Sequence, residues 1–155
     1  MEIKLVKATE NDAELIHKMQ VKAFISLLDK YQDFDTSPAN ESIDKVLWRI
    51  HQDTTYFYLI EFEGNYVGAI RIVDSKDGVA PKRISPLFVL PEYQNKGIAQ
   101  KAIIEAEKIH GSTNWELETI LQEKGNCYLY EKMGYHTTGK TEKINDRLTL
   151  VFYTK

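Results

Sequence analysis

A single cysteine, Cys127, stands in 155 residues, so no internal disulfide can form and nothing points to an oxidising compartment. No long hydrophobic run is present either. The longest strongly apolar stretch, about Tyr56 to Ile60, is far short of the roughly 20 residues a spanning helix needs. Neither sign of charge dominates: 20 Lys and Arg face 23 Asp and Glu, a formal net charge of -3. That balance argues against a protein whose work is to coat nucleic acid or an anionic membrane. Four prolines and eight glycines form no linker, and no repeat or low-complexity tract divides the chain, so residues 1–155 read as one domain. The four histidines show no metal-ligand spacing, and no HExxH motif or Cys/His cluster exists, so no metal is expected. Met1-Glu2-Ile3-Lys4 lacks the apolar core of a signal peptide. The expectation is a soluble, reduced, cytoplasmic protein with no nucleic-acid or membrane partner.

What is present is a regular alternation of strand and helix patterns. Ile3 and Leu5 alternate with charged residues, as in a short half-buried strand. Thr9 with Asp12 three residues on resembles a capping box, and Ile16, Met19, Ala23 and Leu27 follow at helical spacing. Tyr31 to Glu41 is polar and contains Pro38, a loop, and a second helix covers Ile43 to His51. Tyr56 to Ile60 is aromatic and apolar, and Gly64-Asn65 signals a hairpin into Tyr66 to Val73. Another strand begins near Pro81 with Ile84, Leu87 and Val89 as apolar members. Its Pro86 cannot donate to a ladder and belongs at the strand start or a bulge. A helix from Gly97 to His110 carries Ile98, Ala102, Ala106 and Ile109 on one side. A strand over Asn114 to Ile120, a short helix over Asn126 to Met133, and a hairpin of Tyr135 to about Thr138 with Leu148 to Tyr153 complete the chain. The order β-α-α-β-β-β-α-β-α-β-β predicts an α/β fold, a mixed central sheet flanked by helices.

The segment Leu87-Phe88-Val89-Leu90-Pro91-Glu92-Tyr93-Gln94-Asn95-Lys96-Gly97-Ile98-Ala99 joins an apolar strand, a turn and a helix start. The first turn of a helix offers free N–H groups and partial positive charge to phosphate oxygens. Gly97 allows the backbone to come close to such a ligand, although a lone glycine there also suits a plain tight turn. Gln94-x-x-Gly97-x-Ala99 resembles the acetyl-CoA loop of the GNAT superfamily of N-acetyltransferases, whose pattern is Arg or Gln, two residues, Gly, one residue, then Gly or Ala. Leu129-Tyr130-Glu131-Lys132-Met133-Gly134-Tyr135 resembles that family's second signature, a short helix ending in glycine and an aromatic. The motif-bearing match spans residues 84 to 136.

The resemblance implies acetyl-CoA as cosubstrate, with direct transfer of its acetyl group to a primary amine and no acyl-enzyme. It implies that the backbone N–H groups of Gln94, Asn95, Lys96, Gly97, Ile98 and Ala99 hold the pyrophosphate. The strand Leu87-Phe88-Val89 pairs edge-on with the pantetheine arm and donates an N–H to the thioester oxygen. Tyr130 is the general acid for the departing thiolate, since a phenol is protonated at neutral pH. Tyr128 lies on another face and is the weaker candidate. An amine must lose a proton before it attacks, so a base is needed. Glu116 and Glu118 lie opposite Leu117 on their strand, and the spacing to Tyr130 nominates Glu118. A water chain, with Glu118 merely solvated, is the alternative. Asn126 stands in for the family's pantetheine-binding asparagine, although Glu123 occupies the commonest spacing.

Gly134-x-x-x-x-Gly139-Lys140-Thr141 matches the phosphate-binding pattern G-x-x-x-x-G-K-[ST], but a helix precedes it and β-formers follow, which reverses the context a phosphotransferase needs. Cys127 is expected to be a small buried side chain rather than a nucleophile. Asp29, Asp33, Asp35 and Glu41 give the first loop an acidic character that could attract a cationic amine or peptide. Antibiotic, polyamine, amino acid and protein N-terminal acceptors all stay open at this point, as does a homodimer. A CoA-binding regulatory module without significant catalysis is the alternative function.

Overall fold

The computed structural model describes residues 2–155, and the expected order of strands and helices is the order found. β1 is Ile3–Lys7, α1 Ala13–Tyr31 and α2 Ile43–Ile50. β2 is Thr55–Phe62, β3 Asn65–Val73, β4 Lys82–Val89 and α3 Ile98–His110. β5 is Trp115–Ile120, α4 Lys124–Lys132, β6 His136–Lys143 and β7 Thr149–Thr154. The seven strands form one mixed sheet in the order β1-β2-β3-β4-β5-β7-β6, antiparallel except where β4 meets β5. No helix among the described residues is long and apolar enough to cross a membrane.

Local chemistry explains most boundaries. The Thr9 hydroxyl accepts from the Asn11 N–H while Asp12 accepts from the Thr9 N–H at 2.9 Å, so the capping box closes a 3-10 turn that feeds α1. The β2–β3 turn falls on Glu63 and Gly64, one residue earlier than the Gly64-Asn65 expected. Both have positive φ, as the tight hairpin turn matching strand twist requires. β6 runs on to Lys143 rather than ending near Thr138. A register shift at Thr137/Thr141, with Gly139 at φ 89°, absorbs extra residues and lets pairing with β7 resume. α4 starts at Lys124, two residues before the expected Asn126.

Both faces of the sheet are covered. On one, Ile70, Ile72, Trp115 and Leu117 pack against Ile98, Ala102, Ile103 and Ala106 of α3. On the other, Phe57, Leu59, Ala69 and Phe88 pack against Ile16, Met19 and Ala23 of α1 and Val46 of α2. Two residues depart from the helical reading: Ile109 is exposed, and Leu27 is half-buried at the end of α1, where Leu28 takes the core position.

One irregularity shapes everything near β4. Ile70 pairs with Leu87 and Ile72 with Ile84, so two residues, Ser85 and Pro86, oppose Arg71 alone. This is the bulge that Pro86 called for. Arg71, itself buried, donates from Nη1 to the Ser85 carbonyl at 2.7 Å and so satisfies the displaced backbone. Burial lowers the Arg71 guanidinium to about 10, still well above neutrality. Just beyond, Gly68 passes so close to β4 that an added Cβ would sit 2.1 Å from the Phe88 carbonyl oxygen.

A buried chain of polar groups ties the end of α3 to the sheet. His110 Nδ1 faces Asp74 Oδ2 at 2.8 Å, and its Nε2 faces the Tyr58 hydroxyl at 2.8 Å. Burial lowers the imidazole below its ordinary value of 6.5, outweighing the opposing pull of Asp74. Burial raises the Tyr58 phenol, so its O–H donates to a neutral Nε2 while Nδ1–H donates to Asp74.

Two outcomes follow. Gly68→Ala forces β3 and β4 apart at a backbone contact and should cost roughly 1–3 kcal/mol. A melting curve checks this, at roughly 2–4 °C per kcal/mol for a chain of this size. For His110, the unfolded imidazole takes up its proton near 6.5 and the folded one only at lower pH. The unfolded state therefore binds more protons in that window, and stability falls as pH drops from 6.5 toward the folded value. The melting temperature of His110→Gln, which keeps one donor and one acceptor, should change less between about pH 7 and pH 5 than that of the unsubstituted protein.

Candidate active site

β4 and β5 run parallel but share only the pairs Lys82↔Trp115 and Arg83↔Glu116. Past Arg83 the bulge bends β4 away, and the strands diverge into a fork that opens a cavity of about 670 Å³. Its walls come from β4, β5, the start of α3, α4, α1 with the loop after it, and β7.

The β4 side of the fork is an unpaired strand edge. The Leu90 N–H donates to the Val67 carbonyl at 2.8 Å, so by alternation the Val89 and Leu87 N–H groups face away from β3, toward the fork. The Val89 carbonyl on that edge accepts from Gln94 Nε2 at 2.9 Å. The chain then makes a 3-10 turn, Pro91–Tyr93, in which the Gln94 N–H donates to the Pro91 carbonyl at 3.2 Å. Gln94 is thus engaged by both side chain and backbone, and its N–H drops out of the phosphate-donor set expected from the sequence. Asn95 at φ 61° and Gly97 at φ 82° turn the backbone left-handed on either side of Lys96. The N–H groups of Asn95, Lys96, Gly97, Ile98, Ala99 and Gln100 have no hydrogen-bond acceptor among the described residues, and the first intrahelical bond is Lys101 to Gly97. Six adjacent donors at the positive end of α3 suit an anion.

Across the fork, Tyr130 lies half-buried on α4, edge-on to Tyr135 with ring centroids 5.9 Å apart. Burial, with a smaller contribution from Cys127, pushes its phenol far above the ordinary value of 10. Its hydroxyl has no protein partner among the described residues. Tyr128 is 67% exposed and lies outside the cavity lining. Cys127 is buried, its thiol toward the Ile120 and Leu121 carbonyls, as a packing residue.

Glu118 lines the cavity, and its carboxylate is bonded by Arg83, which also donates to Glu116 at 2.8 Å. Burial works to lower the Arg83 guanidinium, but the two carboxylates overcome it and raise it. Sequence spacing could not find this arginine, because it comes from β4 and reaches its partners only through the strand pairing. Glu123, at the asparagine position, accepts from the buried Tyr31 hydroxyl at 2.5 Å and from Lys30 at 2.9 Å, pinning the end of α1 to the start of α4. Asn126, a residue earlier in its helix than Cys127, does line the cavity.

Leu87, Phe88, Val89, Gln94, Asn95, Gly97, Ile98 and Ala99 all line the cavity, together with Tyr130 and Glu118; Lys96 does not. One further expectation needs correction. The acidic loop is not a free cluster: Asp33 is buried and accepts from the Thr36 N–H and hydroxyl, and Glu41 is held bidentately by Arg49 at 2.6 and 2.7 Å. The phosphate-binding look-alike lies on an exposed edge strand, with Lys140 stacked over Phe152 at 4.4 Å.

Comparison with known proteins decides the family. The model described as "Acetyltransferase (GNAT) domain" matches residues 27–155. The chain belongs to that family. No curated protein matches it. Among solved structures, this GNAT chain is similar to spermidine N-acetyltransferase from Vibrio cholerae in complex with CoA and spermine, at TM-score 0.76 and 19% identity over 97% of this chain and 93% of that one. It is also similar to PaiA N-acetyltransferase from Thermoplasma acidophilum in complex with coenzyme A, at 0.73 and 18% over 100% of both chains. An acetyltransferase from Thermus thermophilus matches at 0.73 and 13% over 99% of this chain and 96% of that one. The GNAT fold and the acetyltransferase class read from the two sequence motifs are therefore shown.

Proposed function

We propose that this GNAT protein transfers the acetyl group of acetyl-CoA to a primary amine bound in the fork between β4 and β5. The observation that carries the reading is the alignment of an open strand edge with a run of six unpartnered N–H groups, five of them on residues that line the cavity. Those groups fit the cosubstrate: the anionic pyrophosphate matches the donors from Asn95 to Gln100, and the amide-bearing arm matches the open edge at Leu87, Phe88 and Val89. Asn126 is the further polar group toward the arm. Acetyl-CoA supplies a thioester, an acetyl group already activated for transfer.

The chain's own residues then divide the work. The Val89 N–H is aimed where oxyanion charge develops, a contact whose loss elsewhere costs on the order of 10²–10³ in rate. Tyr130, kept protonated by burial and with its hydroxyl unengaged, donates its proton to the departing sulfur. Glu118 takes the amine proton, directly or through water, while Arg83 fixes the orientation of its carboxylate. Arg83 is a positioning residue, since it reaches the reaction only through Glu118.

The deciding measurement pairs melting with turnover. Acetyl-CoA at about a hundred times its Kd should add about 2.7 kcal/mol to the native state and raise the melting temperature by several degrees, while Mg-ATP should not. Tyr130→Phe should keep that shift and lower kcat by roughly 10²-fold or more. A shift with Mg-ATP alone would sink the reading, and wild-type kcat in Tyr130→Phe would remove the tyrosine as acid.

A further inference from the structure

The helix that carries Tyr130 does little to hold itself in place. Of the nine residues of α4, only Cys127 is fully buried. Its first turn contains Gly125, and glycine is about 1 kcal/mol less favourable in a helix than alanine. Nothing around Gly125 demands a glycine, since an added Cβ there would meet no other part of the protein. The N-cap residue, Glu123, gives the helix no side-chain cap. Its carboxylate turns instead to another element, accepting from the Tyr31 hydroxyl at 2.5 Å and from Lys30 at 2.9 Å.

Of these two donors, Tyr31 is the one that fixes a position. Lys30 is a flexible side chain, 60% exposed, and an ion pair of that kind contributes little. Tyr31 is buried as the last residue of α1, and its carbonyl accepts from Asn145 Nδ2 at 3.0 Å, which ties the turn between β6 and β7 to the same point. Tyr31 does not line the cavity, yet three walls meet around it: Leu27 of α1, Glu123 before α4 and Leu148 before β7. Glu123 and Tyr130 are nearly two helical turns apart, which places them on one side of α4, and both line the cavity. A tilt at the Glu123 end is therefore carried along the helix to the phenol, roughly 10 Å away.

We infer that Tyr31 is a positioning residue for the acid: through Glu123 its hydroxyl sets α4 so that the Tyr130 phenol faces the departing sulfur. The inference rests on the acetyl-transfer reading above, with Tyr130 as proton donor. Proton transfer needs heavy atoms within about 2.6–3.2 Å, and a misplacement of about 1 Å can cost on the order of 10²-fold in rate.

The test is a kinetic cycle of Tyr31→Phe and Tyr130→Phe, with amide hydrogen exchange measured on the same proteins. Turnover is read as thiol release at saturating acetyl-CoA, with whichever of 2-phenylethylamine, spermidine and L-lysine the unsubstituted protein uses fastest. Tyr31→Phe should lower kcat by at least about tenfold and change KM for acetyl-CoA by less than about threefold. It should speed exchange across α4 but not across α3. In the Tyr130→Phe background the same substitution should cost less than about twofold, because the group it positions is gone. An equal loss in both backgrounds marks a merely structural role and overturns the inference. So does an unchanged kcat, a loss confined to KM, or unchanged exchange across α4. If Tyr31→Phe does not fold, Glu123→Ala breaks the same bond and enters the same cycle. Wild-type kcat in Tyr130→Phe overturns the inference while leaving acetyl transfer standing. No thiol release with any of the amines overturns it too, and the melting shift with acetyl-CoA then decides separately whether the cosubstrate site stands.

Discussion

The bulge at Ser85–Pro86 is the constraint on which the rest depends. A parallel pair that continued along β4 and β5 would close the sheet and leave no room for a ligand. The extra residue ends the pairing after Arg83, and Arg71 makes the break tolerable by taking up the Ser85 carbonyl. Gly68 then lets β3 hug the displaced strand, so the far edge of β4 is held rigidly although nothing pairs with it. The fork, the open Val89 N–H and the cavity are consequences of this one local irregularity and the hydrogen bonds that hold it.

The second organising feature is the way charge is confined. The two glutamates in the cavity wall are each fixed by a donor from a different element: Arg83 on β4 for Glu118, Tyr31 at the end of α1 for Glu123. These cross-element bonds serve stability and function at once. They hold α1, α4 and β5 around the fork, into which Tyr130 brings a hydroxyl that no protein group engages. The loop after α1 follows the same logic. Its acids look attractive to a cation when read as a string, yet Asp33 and Glu41 are spent on closing the loop onto α1 and α2.

The sequence was most legible where chemistry is local. Thr9 with Asp12, Gly97 at a helix mouth and Pro86 inside a strand each impose a backbone requirement that neighbours cannot overrule, and each appears in the fold as read. The order of elements followed from hydrophobic period together with such cap and turn signals. The errors arose where a partner is distant. Nothing near Gly139 announces that β7 will extend β6 to Lys143, and nothing near Glu118 announces Arg83, 35 positions away. The same holds for Ile109: the inward position one turn past Ala106 goes to His110, which Asp74 and Tyr58 hold, and Ile109 faces solvent. The motif residues were legible because their spacing follows a family pattern that needs no distant partner in the chain.

An unpaired edge in the middle of a sheet is also a hazard, since it invites a strand from a neighbouring molecule. Here the invitation is nearly withdrawn. Pro86 has no N–H to offer, and the Val89 carbonyl is already occupied by Gln94. A foreign strand needs a run of alternating donors and acceptors, and it meets a stretch too short and too one-sided to register. A ligand needing only a donor or two can still settle there. The Gln94 side chain, first in the loop proposed to hold the cosubstrate, thereby also shortens the ladder a foreign strand could build.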